Sequence, residues 1–464
     1  MRACEANSSS GDQCAAPSRA ASCVGGVGAI LALGAFYALE HPFPGIIADS
    51  QIYMGRALAD VDPAGVGRDL MFRLDGQSQF SLFTPAARWL LAHVSLVVAA
   101  ATIAALGGFL WFAGALAVAR QIAPGRAVPL AAVIFAAPAF YGPMRLLAYA
   151  EPLAEPRPFA EAVTLFALAA FLAGRLWPSL VLLGVAAAIH PIMALAGVAA
   201  IGLVLCVEDR RWLLLAAECV VAFVAAVLLD APIAGRARIL VDADWLARVV
   251  DRNAYLFPHL WKPDDFVLPA IQAATVALAA SRAEGRVRRL LYAGLAAGTA
   301  GVLVAWIAGA FAPSLLVLQA QTWRMWWLSG FLAAVSLGWC AMRLGAGGAR
   351  EKFALAMLAF AWIMASQGPI VFVALGVAIL VVAPRFSADI AISDKVAQYA
   401  WLGLAAAVVI PAAVMLVKWL DLPASEDFAP VFTKRLMAVA GDTLLLAATA
   451  LAAFGSPSVF ARLP

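Results

Sequence analysis

The chain has 464 residues and a formal net charge of +4; 64% of its residues are hydrophobic, 13% are charged, and the mean hydropathy is +0.91. Soluble domains are about half apolar and about a quarter charged, so this composition excludes an ordinary soluble protein. The small positive charge is better explained by membrane topology than by a nucleic-acid partner. The sequence therefore predicts an all-α fold, a polytopic bundle of transmembrane helices.

The N-terminal 22 residues differ from the rest of the chain because they are small and mostly polar. They predict a disordered cytoplasmic tail, and residues 23–464 predict a single transmembrane domain. An apolar run of about 17–25 residues is long enough to cross a bilayer as a helix, and about 12–14 runs are predicted to do so. They lie near residues 23–39, 93–119, 127–141, 159–173, 213–229, 266–281, 290–312, 323–342, 353–365, 369–382, 399–417 and 436–453, with two short runs on either side of His190-Pro191.

Lys and Arg cluster in the short loops that follow every second apolar run, as Arg120 and Arg210 illustrate. Because cytoplasmic loops are enriched in basic residues, this alternation predicts a cytoplasmic N-terminus. The alternation holds through the twelfth run and fails after it. The sequence thus predicts a multi-pass membrane protein. Its outer loops are then four segments, at about residues 40–92, 142–158, 230–265 and 313–322.

Three stretches of these outer loops have apolar residues at helical spacing, which predicts amphipathic helices on the membrane surface. They are residues 50–60, 82–91 and 242–252. No stretch of the chain predicts a β-strand. The outer face is therefore expected to be ordered, and its polar residues are the candidates for chemistry.

Asp49 lies directly before the first surface helix, and Tyr53 lies one turn into it. Asp is a favoured N-cap residue, so capping of the helix is one interpretation. A carboxylate at this depth is also within reach of a lipid-borne substrate, where it can act as a general base. The two roles are compatible. We take Asp49 as the catalytic candidate and Tyr53 as a substrate-binding candidate.

A charged, proline-rich stretch at residues 149–161 separates two apolar runs. Its three prolines predict a fixed backbone without a regular helix. Because charge is costly at the edge of a bilayer, Glu155 and Arg157 are candidates for holding a substrate; a guanidinium binds phosphate or carboxylate with two hydrogen bonds. The alternative is that Arg157 only neutralises its acidic neighbours at a turn.

Two histidines are further candidates for substrate binding. His190 precedes Pro191 in an apolar run and marks a helix break; both a buried, hydrogen-bonded histidine and a phosphate contact fit this position. His259 lies among aromatic residues, which fit either a belt at the membrane interface or a platform for stacking a sugar.

Gln321 and Arg324 stand at the outer end of the tenth apolar run. An arginine that enters a span needs a partner, and a phosphate at the bilayer surface would provide one. Snorkelling of the guanidinium to lipid headgroups is the other explanation. The sequence therefore adds both residues to the substrate-binding candidates.

This arrangement resembles the GT-C superfamily of polytopic glycosyltransferases. The resemblance rests on a long first outer loop with the early Asp49, surface helices in that loop, many further spans, and the outward Arg324 after Gln319 and Gln321. The chain departs from many members because Ser50, and not a second acid, follows Asp49. The resemblance implies a protein of the bacterial inner membrane. It also implies a sugar donor on a polyprenyl phosphate, used on the periplasmic side in cell-envelope or extracellular polysaccharide assembly.

The resemblance also implies roles for single residues. Asp49 would deprotonate the acceptor, and Arg324 would bind the leaving phosphate with help from His190 or Arg157. The implied partners are membrane lipids and the lipid-linked donor. The sequence predicts no cofactor and no metal ligands, and it leaves metal dependence and oligomeric state open.

There are three alternatives to a glycosyltransferase: a transporter or flippase of lipid-linked sugars, a polymerase, and a non-catalytic membrane component.

Overall fold

The structure, a computed structural model, describes residues 19–74, 81–366, 368, 370–383, 390–420 and 429–455. Over these residues the chain folds almost entirely into helices. In chain order the α-helices are α1 (Arg19–Glu40), α2 (Asp49–Val61), α3 (Leu70–Arg73), α4 (Phe83–Leu91), α5 (Leu96–Ile122), α6 (Ala127–Ala136), α7 (Arg157–Leu172), α8 (Leu176–Ile189), α9 (Pro191–Glu208), α10 (Arg211–Leu228), α11 (Ala243–Asn253), α12 (Val267–Arg282), α13 (Gly285–Phe311), α14 (Leu315–Ala320), α15 (Trp326–Gly345), α16 (Ala349–Ile363), α17 (Ile370–Val382), α18 (Asp394–Leu420) and α19 (Ala429–Phe454).

Six stretches of helix in the described chain are long and apolar enough, by length and composition alone, to cross a membrane. They are α5, α9, α10, α13, the segment from α14 through α15, and most of α18. Shorter apolar helices of 10–17 residues include α6, α8, α17 and parts of α1 and α19. The prediction of an all-α helical bundle is confirmed, together with helices of membrane-spanning length.

Helix α15 forms the centre of the bundle. It packs against α6, α12, α13 and α19, and nearly every one of its residues is buried. Glycine in a neighbouring helix permits this close approach, since a side chain at Gly298 of α13 would collide with Ser329. Some polar atoms in the interior pair between helices: Trp326 Nε1 donates to Gln272 Oε1 at 2.7 Å.

The predicted outer loops meet at one end of the bundle. An ion pair joins the first loop to the second. Met144 N of the second loop donates to Asp265 Oδ1 of the third at 2.7 Å. Val241 N of the third loop donates to the carbonyl of Pro313 in the fourth at 3.0 Å. Segments that are far apart in sequence therefore form one connected polar layer.

Basic residues lie at the other end of these helices. Arg286, at the start of α13, pairs with Glu208 at the end of α9, with Nη2 and Oε2 2.9 Å apart. Arg282 Nη2, at the end of α12, donates to the carbonyl of Val382 at the end of α17, 2.7 Å away. The basic side chains therefore join helix ends to one another, and their cations lie where helix carbonyls are free.

Three local features differ from the sequence predictions. Helix α1 begins at Arg19, before the predicted end of the N-terminal tail, and the earlier tail residues lie outside the described chain. A short hairpin pairs β1 (Phe140–Tyr141) with β2 (Leu147–Ala148), although the sequence predicts no strand. The proline-rich stretch is helical from Arg157 onward, because Pro158 lies in the first turn of α7, where no intrahelical hydrogen bond is lost.

Candidate functional site

Arg157 is the centre of a compact charged cluster at the end of the bundle where the predicted outer loops meet. Its Nε donates to Glu155 Oε1 at 2.7 Å and its Nη2 to Glu155 Oε2 at 2.8 Å, which is a two-point contact between these groups. Nη2 also donates to Glu151 Oε2 at 2.7 Å and lies 3.2 Å from Asp49 Oδ2. Three carboxylates from two outer loops therefore share one guanidinium.

The turn before α7 brings the acidic residues to Arg157. Pro156 separates Glu155 from Arg157 and acts as the N-cap of the helix. Ala150 has the unusual backbone angle φ 60°, and its N–H donates to Glu161 Oε2 at 2.9 Å. The carboxylate in the first turns of α7 therefore anchors the loop that precedes the helix.

Asp49 reaches the cluster from the start of α2. Ala48 is the N-cap of this helix and Asp49 is its first residue. The capping interpretation of Asp49 is therefore wrong, because Asp49 lies inside the helix and no side-chain hydrogen bond caps it. The Asp49 carboxylate contacts Arg157 instead. The Asp49 side chain is 38% exposed, whereas that of Glu155 is fully buried and that of Arg157 is 3% exposed. Asp49 is the acid of the cluster that a substrate in solvent or at the membrane surface reaches most easily.

Burial dominates the electrostatics of the cluster. Removal of the Glu155 carboxyl from solvent raises its pKa to about 7, against the attraction of Arg157, which lowers it. Burial, and next the charge of Glu155, raises the pKa of Tyr53 to about 12, so Tyr53 is a neutral phenol. The Tyr53 ring meets Phe83 edge to face at 5.7 Å. Because three carboxylates share one guanidinium, the cluster carries more negative than positive charge. A proton or a nearby cation offsets the excess.

Arg324 supplies a second positive charge from the turn that follows the fourth predicted outer loop. It lies in a 3-10 turn, Thr322–Met325, that leads into α15, and its Cζ is 5.8 Å from the centre of the Trp323 ring. Its Nε donates to Gln321 Oε1 at 2.8 Å, and Gln321 turns the chain with φ 45°. Gln321 therefore orients the guanidinium of Arg324.

His190 lies at the break between α8 and α9, as the sequence predicts. Its Nδ1 accepts a hydrogen bond from Met193 N at 3.4 Å and caps α9. Burial, followed by the positive charges of Arg324 and Arg157, lowers its pKa to about 3, so the imidazole is neutral. Because Nδ1 is the acceptor, Nε2 carries the proton and is the donor left for another group. His190 is within electrostatic reach of both arginines.

The described contacts do not join His259 to the charged cluster. Its ring lies edge to face with Phe257, with centres 6.0 Å apart, and packs beside Gly309 of α13. This position fits the interpretation as part of an aromatic belt better than a sugar platform in the same site as Asp49.

An apolar groove of about 320 Å³ lies between α12 and α13. Its lining includes Trp261, Trp306 and Trp326. Trp261 also meets Trp323 edge-on at 5.6 Å, so the groove lies close to the turn that carries Arg324. The charged cluster does not line this groove. A larger cavity, of about 490 Å³, lies at the opposite, basic end of the bundle.

Sequence reasoning missed two aromatic residues of the site, Tyr141 and Trp323. Both are buried, their ring centres lie 6.3 Å apart, and neither the Tyr141 hydroxyl nor Trp323 Nε1 has a hydrogen-bond partner among the described residues. A side chain at Gly142 would collide with Trp323. No local pattern reveals these neighbours, because they stand at the ends of two different predicted apolar runs.

Within the described residues, no group of three or more His, Cys, Asp or Glu side chains is arranged to hold a metal ion. The three carboxylates of the cluster converge on the Arg157 guanidinium instead. No family model matches the chain, and no curated protein or solved structure matches it. Inference about its function therefore rests on the chemistry of the site.

Proposed function

We propose that this protein is a membrane glycosyltransferase of the GT-C type that uses a polyprenyl-phosphate-linked sugar. The observation that carries the proposal is the contact of 3.2 Å between Asp49 and Arg157, which joins the first outer loop to the turn before α7. It holds an accessible carboxylate beside a buried cluster at one end of a bundle of apolar helices. A transporter would be expected to carry its charges near the bilayer midplane, whereas these charges lie at helix ends.

The proposal includes a topology. About 12–14 helices cross the bacterial inner membrane, the N-terminus is cytoplasmic, and the charged cluster faces the periplasm. The helix ends around Arg282 and Arg286 then face the cytoplasm, which agrees with the enrichment of positive charge in cytoplasmic loops. A lipid-linked donor presents its headgroup at the level of the surface helices α2 and α4, where Asp49 lies.

Asp49 is the general base of the proposed reaction. Its carboxylate takes the proton of the acceptor hydroxyl, the acceptor oxygen bonds to the anomeric carbon, and the bond from that carbon to the phosphate oxygen breaks. Attack opposite to the leaving phosphate inverts the anomeric configuration. Arg157 orients Asp49, while Glu151 and Glu155 hold Arg157 in place through the hydrogen bonds of the cluster.

Arg324 stabilises the negative charge that develops on the leaving phosphate. Its guanidinium is already oriented by Gln321, so no rearrangement is needed when the charge appears. The neutral His190 adds a hydrogen bond from Nε2, and Tyr53 adds one from its hydroxyl. The apolar groove beside Trp261 and Trp326 suits the isoprenoid chain of the donor.

The test uses cells that lack the chromosomal copy of the gene and express variants at matched levels. We expect Asp49→Asn to lower the amount of glycosylated product by about 10²–10⁴-fold, because the general base is lost. We expect Arg324→Ala to lower it by about 10²–10³-fold, because the phosphate loses a charged donor. Mass spectrometry of extracted glycolipids and polysaccharide measures the product, and the unused lipid-linked donor should accumulate.

Asp60→Asn is the matched control. Asp60 lies on the same helix as Asp49 but pairs with Arg56, with Nη2 and Oδ1 2.7 Å apart. Its replacement should change the amount of product by less than about twofold, as for most surface substitutions. Wild-type product levels in both Asp49→Asn and Arg324→Ala would contradict the proposed activity.

A further inference from the structure

The cavity of about 490 Å³ at the basic end of the bundle lies away from the charged cluster around Arg157. Its walls come from three helices: Ile30 of α1, Leu116 and Arg120 of α5, and Ala127 and Val128 at the start of α6. Its volume is in the range of about 300–1,000 Å³ that is usual for sites that bind small molecules. The cavity is therefore large enough for a ligand, and the proposed glycosyl transfer does not use it.

The two sides of this cavity differ in polarity. Arg120 stands near the end of α5, a helix of membrane-spanning length, and Leu116 lies one turn deeper, about 6 Å along the same helix. Ile30 and Val128 add apolar wall from the other two helices. Among the described residues that line the cavity, none is acidic. The cavity thus has a positive charge at the end of a span and apolar surface toward its middle.

The loop between α5 and α6 holds the cavity open. Arg126 Nη2, in that loop, donates to the carbonyl of Ala452 near the end of α19, 2.9 Å away. Within the described chain no side chain caps the start of α6. The first amides of this helix, those of Ala127 and Val128, therefore add partial positive charge to the wall that Arg120 already makes positive.

These walls define the chemistry of a ligand. Positive charge without an acidic neighbour favours an anion, and the apolar side favours a hydrocarbon chain. A free anion would leave the apolar wall in contact with water, and an uncharged lipid would gain nothing from Arg120. An amphiphile with an anionic head satisfies both sides at once, and the end of a span is the depth at which a lipid headgroup meets its acyl chains.

We propose that this cavity binds one anionic phospholipid. Its phosphate contacts Arg120 and the first amides of α6, and the upper part of an acyl chain packs against Leu116 and Ile30. Basic pockets between transmembrane helices on the cytoplasmic side are typical sites for anionic headgroups. In the topology proposed above the lipid belongs to the cytoplasmic leaflet. The proposal requires a chain that lies in a membrane, and it is independent of the glycosyltransferase activity.

Native mass spectrometry of the full chain in detergent tests this site. The probes are palmitoyl-oleoyl phosphatidylglycerol and phosphatidylcholine with the same acyl chains. We expect the wild type to bind one phosphatidylglycerol at least about fivefold more tightly than phosphatidylcholine, since one arginine near an anionic headgroup is worth about that factor. Arg120→Gln should abolish this preference. Val128→Trp should lower the binding of both lipids by about tenfold or more, because the indole fills the cavity.

Arg175→Gln is the matched control. Arg175 is an exposed arginine before α8 at the same end of the bundle, and it does not line the cavity. This variant should keep the fivefold preference. The melting temperature of each variant is measured without added lipid, so that a loss of binding is scored only in folded protein.

Three results would overturn the proposal. One is equal affinity of the wild type for the two lipids, or equal losses in Arg120→Gln and Arg175→Gln. Another is displacement of phosphatidylglycerol by excess inorganic phosphate, which would assign the cavity to a soluble anion. The third is binding that appears only after residues 1–18 are removed, which would assign the cavity to that segment of the chain. Because the readout is bound lipid, the presence or absence of glycosylated product has no bearing on it.

Discussion

Arg157 organises charges that come from distant parts of the chain. Its buried guanidinium contacts Glu151 and Glu155 in its own loop and Asp49 in the first outer loop. A buried charge is tolerated only when its hydrogen bonds are satisfied, yet Nη1 of Arg157 has no partner among the described residues. We expect a substrate oxygen to accept a hydrogen bond from this remaining donor.

Replacement of Arg157 should destabilise the protein strongly. Arg157→Met leaves three carboxylates without their common cation, and loss of one partner of a buried ion pair costs about 3–5 kcal/mol. Arg289→Met is the control, because Arg289 is 47% exposed and pairs with Glu208 at the other end of the bundle; exposed pairs contribute about 0–1 kcal/mol. Thermal unfolding of the purified proteins in detergent measures both. Equal effects of the two changes would contradict the structural role of the cluster.

The stability of the protein should depend on pH through Glu155. Burial raises its pKa in the folded protein to about 7, above the usual value of 4.5, so the folded state takes up the proton at a higher pH than the unfolded state. This group contributes stability that is fully present below about pH 4.5 and is lost as the pH rises through about 7. The melting temperature of the wild type, relative to Glu155→Gln, should therefore fall from about pH 5 to about pH 8.

A difference in melting temperature that stays constant over this pH range would contradict the prediction. It would mean that the ion pair with Arg157 keeps Glu155 charged throughout. Asp60→Asn provides the comparison, because Asp60 lies in a partly exposed pair on α2, outside the charged cluster.

At the scale of elements, the turns between helices position the site. The hairpin of β1 and β2 places Gly142 against Trp323, and the turn that holds Trp323 leads through Arg324 into α15. The second outer loop thereby supports the residue next to the proposed phosphate ligand. Helices α2 and α4 also support the site, because Met54 of α2 and Phe83 of α4 are buried together in one small apolar cluster.

Gly142→Ala should disturb the site through Trp323. Gly142 has φ +78°, and a Cβ there would lie 2.5 Å from the Trp323 ring. Gly125 has a similar φ of +77° with nothing within 4 Å of its Cβ position, so Gly125→Ala carries the same backbone strain without a collision. We expect Gly142→Ala to be less stable than Gly125→Ala by about 1–3 kcal/mol, the usual cost of overpacking. Product formation should fall only in Gly142→Ala, and equal losses in both would refute the link to Arg324.

At the scale of the whole molecule, the two ends of the bundle differ in chemistry. One end carries the connected outer loops and the acidic cluster around Arg157, and the other carries basic side chains such as Arg282 and Arg286, which bridge helix ends. The apolar surface between the ends is extensive, and α10 is its most exposed part. This distribution suits a molecule that crosses a bilayer with a fixed orientation.

Cysteine labelling tests that orientation. In a cysteine-free background, Asp244→Cys in α11 should react with a membrane-impermeant maleimide added to cells with a permeabilised outer membrane. Glu284→Cys, at the basic end before α13, should react only after the inner membrane is opened. Both positions are exposed, so accessibility to the aqueous phase alone decides the result. Labelling of Glu284→Cys before the inner membrane is opened would contradict the proposed topology.

The sequence predicts helices well where length and periodicity decide the structure. The surface helices expected at residues 50–60 and 82–91 correspond to α2 and α4, and the break expected at His190 separates α8 from α9. The sequence also singles out Asp49 and Arg157, because charged groups are conspicuous beside apolar runs. It does not reveal that these two residues contact each other, nor that His259 lies away from the charged cluster, because both relations depend on how distant loops pack.

The amino-acid sequence by itself determined the all-α character and the apolar helices of membrane-spanning length, because backbone hydrogen bonds within a helix are local and the apolar runs are read directly from composition. Tertiary structure alone decided that one guanidinium joins three carboxylates and that Asp49 serves this cluster and not a helix cap. These features depend on contacts between segments that are far apart in the chain, and local patterns carry no information about such contacts.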